Sequence, residues 1–103
     1  MVKITLVCSA GMSTSMLMER MKEAAKAKGI EVQMQALAEG EIKNNLGDTD
    51  ILLLGPQVRY MISGMRAEYA NKISVIEVIN MSDYGLMNGE KVLNDALVLY
   101  SKK

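Results

Sequence analysis

One cysteine occurs in this sequence, Cys8, and the residues after it are Ser9, Ala10, Gly11, Met12, Ser13, Thr14 and Ser15. Apart from Met12 these carry little side-chain bulk, and Gly11 can take backbone angles that other residues avoid. In such a loop successive backbone N–H groups can turn inward and form a concave place for an anion. The hydroxyls of Ser9, Ser13, Thr14 and Ser15 are available to the same pocket. A helix opening near residue 13 adds first-turn N–H groups and the positive end of its dipole. That dipole also favours thiolate over thiol at a cysteine beside it. A thiolate among anion-binding donors is arranged to attack a phosphoryl group and hold the product. Taken singly, a cysteine after a strand is commonly a small packing residue, and a Ser/Thr run before a helix is commonly a cap. Here both fall on one turn, and phosphoryl chemistry on Cys8 is the expectation.

The elements that must position this turn follow from periodicity. Residues 2–7, VKITLV, are a β-branched apolar run with one Thr, suited to a buried strand. Over 13–28, Leu17, Met21, Ala24 and Ala25 share one helical face, with Glu19, Lys22, Glu23 and Lys26 opposite. Gly29 stops that helix. Residues 30–37 alternate as a strand with one wetter face, and 39–46 read as a short polar helix or turn. An apolar strand at 50–55 ends in Gly, and Pro56 opens a helix with Val58, Met61, Ile62, Met65 and Tyr69 at helical spacing. Residues 73–79 form the fourth strand. The connection NMSDYGLMNG leads to a last helix carrying Val92, Leu93, Ala96, Leu97 and Tyr100 on one side.

Four βα units of this kind predict an α/β fold: a four-stranded open parallel sheet with helices on both faces. Ligand sites in such sheets lie beyond the carboxyl ends of the strands. Cys8, Gly55 with Pro56 and Gln57, and the segment 80–84 should therefore converge on one rim.

Composition narrows the classes of function. At 103 residues the chain is expected to be one domain, residues 1–103, with a single core. Lys plus Arg equals Asp plus Glu at 12 each, which argues against electrostatic attachment to nucleic acid or anionic lipid. One cysteine forms no internal disulfide, and with no histidine a zinc site would need an unusual ligand set. Neither a metal nor an organic cofactor is called for. A lone thiol fits a reducing cytosol. The apolar run at the amino end is short and leads into a helix rather than a cleavage region, and Val7 precedes Cys8 where a lipoprotein signal carries a small residue. Export is not expected, and no segment is long enough to cross a bilayer.

CSAGMSTS, followed by LLLGPQVRYM and YGLMNG, closely resembles the IIB component of bacterial sugar phosphotransferase systems, of the lactose/cellobiose type. The resemblance spans essentially the whole chain. It implies a single IIB phosphocarrier domain in which Cys8 accepts a phosphoryl group from a phosphohistidine of the partner IIA. The group then passes to a sugar, expected to be a β-linked disaccharide, held by the membrane transporter IIC. Residues 9–15 would bind the phosphoryl oxygens, and the protein would work in the cytoplasm, peripheral to the membrane through IIC.

The same fold and loop shape occur in low-molecular-weight tyrosine phosphatases, which are similar in having C-x5-R-[ST] after the first strand. Here Thr14 stands where they carry Arg. Arginine would clamp the phosphoryl oxygens and stabilise transition-state charge, whereas threonine offers one neutral hydrogen bond. A phosphatase or arsenate-reductase-like thiol enzyme is therefore the alternative, and a non-catalytic flavodoxin-like module a further one.

Asp83 sits in a late loop, as a phosphatase acid would, but without the accompanying proline; exposed loop filler is its expected role. Arg59 is expected to be solvated, and Tyr60 and Tyr84 to be half-buried against the core. Met21, Met61 and Met65 fit core stripes. Met12 is expected to meet an incoming partner, with Met16 and Met18 fitting either role.

Overall fold

The computed structural model describes residues 1–9 and 11–102, and for Gly11, Met12 and Ser13 the backbone alone. Strands β1 (Val2–Cys8), β2 (Val32–Ala38), β3 (Ile51–Leu54) and β4 (Val75–Val78) form one parallel sheet in the order β2-β1-β3-β4. The helices are α1 (Gly11–Ala27), α2 (Ile62–Tyr69), α3 (Met81–Gly85) and α4 (Gly89–Ser101), with 3₁₀ turns at Glu39–Glu41 and Pro56–Met61. The expected sheet with helices on both faces is what the chain forms.

Alternation along the strands builds two cores. Ile4 and Leu6 of β1, with Ile51, Leu53 and Val75, meet Leu17, Met21 and Ala25 of α1 and Val92, Leu93 and Ala96 of α4. Val7, Leu52, Leu54 and Ile76 point the other way, against Val58, Met65, Ile42 and Leu46. Full burial of one such Leu or Ile contributes about 1.5–3 kcal/mol. Both central strands therefore have to be apolar at nearly every position. The buried exception, Thr5, is satisfied where it lies: its Oγ1 is 2.7 Å from Thr49 Oγ1 and accepts from Gln35 Nε2 at 3.0 Å.

Two details fix the extent and seat of α1. Gly29, at φ +70°, ends α1 as expected. At the other end of the helix pair, Gly89 lets α4 approach α1 so closely that a Cβ there would lie 2.5 Å from the backbone carbon of Arg20. This close approach seats the start of α4 on the middle of α1.

The structure differs from the pattern in two places. The single helix expected from Pro56 through Tyr69 is instead a 3₁₀ turn followed by α2, with Val58 at φ −115° and ψ 23°. Helical spacing located the buried residues correctly, but Val58 is fully buried at dihedrals outside the helical range. The connection at 80–89 contains the short helix α3. Its cap is Asn80, whose side chain accepts from the N–H groups of Ser82 and Asp83 at 2.9 and 3.1 Å.

Candidate functional site

Cys8 is the last residue of β1, opposite Ala38 of β2, and α1 begins three residues later. It is buried, at 3% exposure, so its surroundings exclude most water. The first four N–H groups of an α-helix have no intrahelical acceptor. In α1 these include the N–H groups of Gly11, Met12 and Ser13, which begin three residues after Cys8. A cysteine at the strand end and a helix start shortly after it are thus present in the order the sequence implied.

The neighbouring turn closes against Cys8 from β3. Gly55 donates its N–H to the Val7 carbonyl at 2.8 Å, and a Cβ added to Gly55 would lie 3.6 Å from the Cys8 Cβ. The small residue after β3 is therefore explained by the approach of this turn to the cysteine, and Pro56 and Gln57 follow it outward. Farther out, the Tyr60 hydroxyl donates to Glu39 Oε2 at 2.5 Å, tying the segment after β3 to the segment after β2. That bond raises the Tyr60 pKa above its ordinary value of 10.0, chiefly because the proton is held by the Glu39 carboxylate.

The segment after β4 comes back to the start of α1. Thr14 is buried in the first turn, and its Oγ1 lies 3.3 Å from the hydroxyl of Tyr84. Tyr84 itself belongs to the core beneath α1 and α4. The position that carries arginine in the phosphatase pattern is thus filled by a buried hydroxyl that already contacts a second hydroxyl. Gly55 is thus brought against Cys8 at the ends of β3 and β1, and Tyr84 of α3, the helix after β4, against Thr14 in the first turn of α1.

Other expectations need correction or completion. Asp83 is not exposed loop filler: it is buried in α3, and its Oδ2 accepts from Lys91 Nζ of α4 at 3.2 Å. The reason is the unforeseen turn of helix, which swings Asp83 towards α4. Lys91 also bonds Asp95 at 3.0 Å, and the two carboxylates, Asp95 first and Asp83 second, raise its pKa above 10.5. Tyr84 is more deeply buried than expected and Tyr60 far less, at 68% exposure. Arg59 is exposed, as expected. Met21 and Met65 are core residues and Met61 packs at the margin of the second core, again as expected. Met16 is exposed and Met18 packs against the first core. Of the loop, Ser9 and Ser15 are exposed and Thr14 is buried. Ala10 lies outside the described residues, as do the side chains of Met12 and Ser13.

Sequence reasoning missed the Thr14–Tyr84 contact and the Asp83–Lys91 pair. A signal for the helix that makes both was present: Asn80 followed by Asp83 is the spacing of a helix start.

Residues 3–95 match the family described as "PTS system, Lactose/Cellobiose specific IIB subunit". The chain belongs to this lactose/cellobiose-specific IIB family. Over 99 residues it is 38% identical to the oligo-β-mannoside-specific EIIB component of Bacillus subtilis, covering 96% of each chain. It is 42% identical to the cellobiose-specific EIIB component of Lactococcus lactis, covering 87% of this chain and 88% of that one. Among solved structures, the cellobiose-specific IIB component of Borrelia burgdorferi superposes with a TM-score of 0.78 at 42% identity, covering 99% of this chain and 94% of that chain. The lactose-specific IIB domain of Streptococcus pneumoniae superposes with a TM-score of 0.83 at 23% identity, covering 96% and 97%, and shares the fold. As a IIB component the protein is part of a sugar phosphotransferase system, which implies IIA and IIC partners. Among the described residues, no helix of this IIB protein is long and apolar enough to cross a membrane.

Proposed function

We propose that this IIB protein, acting as one phosphocarrier domain over residues 1–103, accepts a phosphoryl group on Cys8 from a phosphohistidine of IIA and passes it to a sugar held by IIC. The observation that carries the reading is the position of Cys8 at the end of β1, directly before the amino terminus of α1, in a chain of the IIB family. The thiolate attacks phosphorus in line. The sulfur–phosphorus bond forms as the phosphorus–nitrogen bond breaks, and the imidazole, protonated on its other nitrogen, leaves neutral. Backbone N–H groups of residues 9–15, with the hydroxyls of Ser9, Ser13, Thr14 and Ser15, stabilise charge on the equatorial oxygens. In the second step a sugar hydroxyl attacks; its base comes from the transporter, since this chain has no histidine.

Curated relatives named for cellobiose and oligo-β-mannoside support a β-linked disaccharide as the sugar. The site of action is the cytoplasmic side of the membrane, against IIC. Met16, Tyr60, Met81 and Leu86 are exposed, and each lies on a segment that leaves the carboxyl edge of β1, β3 or β4. An apolar rim of this kind suits the docking of IIA, which must bring its histidine to Cys8. Against hydrolytic phosphatase chemistry stand the threonine at position 14 and the engagement of Asp83 by Lys91, which leaves that carboxylate accepting where an acid would donate.

The test is intact mass after incubation with phosphoenolpyruvate, the general phosphotransferase proteins and a lactose/cellobiose-type IIA. One phosphoryl adduct that requires IIA and is absent from Cys8→Ser is the expected result. No adduct in the presence of phosphorylated IIA, together with turnover of an aryl phosphate, would replace the carrier by the phosphatase.

A further inference from the structure

We propose that Tyr84 is a positioning residue for phosphoryl transfer: it holds the Thr14 hydroxyl in the orientation that donates a hydrogen bond to the phosphoryl group on Cys8. This rests on the reading of Cys8 as the phosphoryl acceptor. Thr14 and Tyr84 are 70 residues apart in the chain, yet their hydroxyls lie 3.3 Å from one another, and the two residues are 2% and 7% exposed. Two touching hydroxyls own two protons and use only one between them. A phenol is the stronger donor and an aliphatic hydroxyl the stronger acceptor. Tyr84 therefore donates to Thr14, and the Thr14 proton serves a third group. Thr14 lies in the first turn of α1, which begins three residues after Cys8. A phosphoryl oxygen at the start of that helix is an acceptor of the right charge.

The phenol is well placed to act as a fixed reference. Its helix is capped by Asn80 through two N–H groups, and the preceding residue, Asp83, is bonded to Lys91 of α4. The ring packs in the core formed by α1, α4 and the sheet. Thr14 can thus be oriented before the phosphoryl group arrives, which is where a hydrogen bond gains its value in a transfer step. No proton changes owner in this arrangement. The contribution is one neutral donor held in place, in a position where a phosphatase has a charged clamp.

The experiment compares wild type, Tyr84→Phe, Thr14→Val, Thr14→Ser and the Tyr84→Phe/Thr14→Val double variant, by rapid-quench intact mass with a lactose/cellobiose-type phospho-IIA as donor. Tyr84→Phe keeps the ring and removes only the hydroxyl. It is expected to lower the transfer rate at saturating phospho-IIA about threefold to tenfold, the factor commanded by one neutral hydrogen bond. KM for phospho-IIA should not change, because Tyr84 is too buried to meet a partner. Thr14→Val should lose a similar factor, Thr14→Ser should retain the rate, and the double variant should be no slower than Thr14→Val. A Tyr84→Phe rate equal to wild type, a changed KM at constant maximal rate, or losses that multiply in the double variant would each overturn the proposal. If Thr14→Val fails to fold, Tyr84→Phe and Thr14→Ser decide by themselves. A wild type that never takes the phosphoryl group removes both this inference and the reading of Cys8, whereas a normal adduct with an unaffected Tyr84→Phe removes this inference alone.

Discussion

β1 and β3 are neighbours in the sheet, Val7 standing opposite Leu54, and each hands the chain to a helical segment at the same edge. After β1 the chain enters the α-helix Gly11–Ala27, and the N–H groups of its first turn have no acceptor inside the helix. After β3 most of the corresponding donors are spent or missing. Gly55 N–H goes to the Val7 carbonyl at 2.8 Å, Pro56 has none, and Val58 N–H goes to the Gly55 carbonyl at 3.0 Å. If Cys8 carries the phosphoryl group as proposed, the first of these turns receives it and the second braces it.

The sharpest way to break this comparison is to move the thiol. Gly55 follows Leu54 as Cys8 follows Val7, so Cys8→Ser/Gly55→Cys places a sulfur at the equivalent end of β3. Intact mass is expected to show complete loss of the phosphoryl adduct, as in Cys8→Ser alone, because the second turn has no cradle. An adduct on the transplanted cysteine would show that the edge itself, and not the first turn of α1, confers the chemistry.

Next in size is the seating of α1 against α4. In Gly89→Ala the new Cβ would lie 2.5 Å from backbone of Arg20 and 2.6 Å from the Met21 nitrogen, so α4 must move off α1. A loss of about 1–3 kcal/mol is expected in denaturant unfolding. In Gly55→Ala the nearest atom is Gln57 Oε1 at 2.9 Å, the end of a flexible side chain, followed by Val7 O at 3.4 Å. That variant should lose less than Gly89→Ala, and an equal or greater loss would mean that the β3 turn is the less yielding of the two.

Smaller again is Pro56→Ala. Freeing φ at this position enlarges the unfolded ensemble and should cost about 0.4–1 kcal/mol, with phosphoryl transfer unchanged because Pro56 supplies no donor. A transfer defect would give the bracing turn a direct part in the chemistry.

The smallest effect concerns alkaline pH and the far wall of the site. The Lys91 pKa is raised above 10.5 by Asp95 and Asp83, and the Tyr60 pKa above 10.0 by Glu39. Both groups are held more tightly in their protonated forms when folded. Their contributions are therefore complete below those ordinary values and vanish as pH rises through the folded-state values. Melting curves from pH 9 to 12 should show this loss, and Lys91→Met should flatten part of it. Both groups are exposed, so the effect is small.

Much of the molecule was legible locally. Apolar runs marked the four strands, the period of 3.6 marked α1 and α4, and Gly29 marked where α1 stops. The small and hydroxyl residues after Cys8 marked the passage from β1 into α1. The helix at Pro56–Tyr69 was read as continuous because spacing reports which residues are buried, not the backbone angles used to bury them; Val58 is buried at dihedrals that are not helical. Asp83 was misread because its partner, Lys91, lies on another helix.

The sequence by itself thus determined the order of elements, the parallel sheet, the place of the cysteine at the edge where ligands bind, and the family. Periodicity, caps and glycine turns act over a few residues, so they are written in consecutive letters. Tertiary structure alone decided that Tyr84 meets Thr14 and that Gly89 seats α4 on α1. Each joins residues about 70 positions apart, and such contacts exist only once the helices have crossed the sheet and the two cores have excluded water. Nothing in the spacing of either partner announces the other.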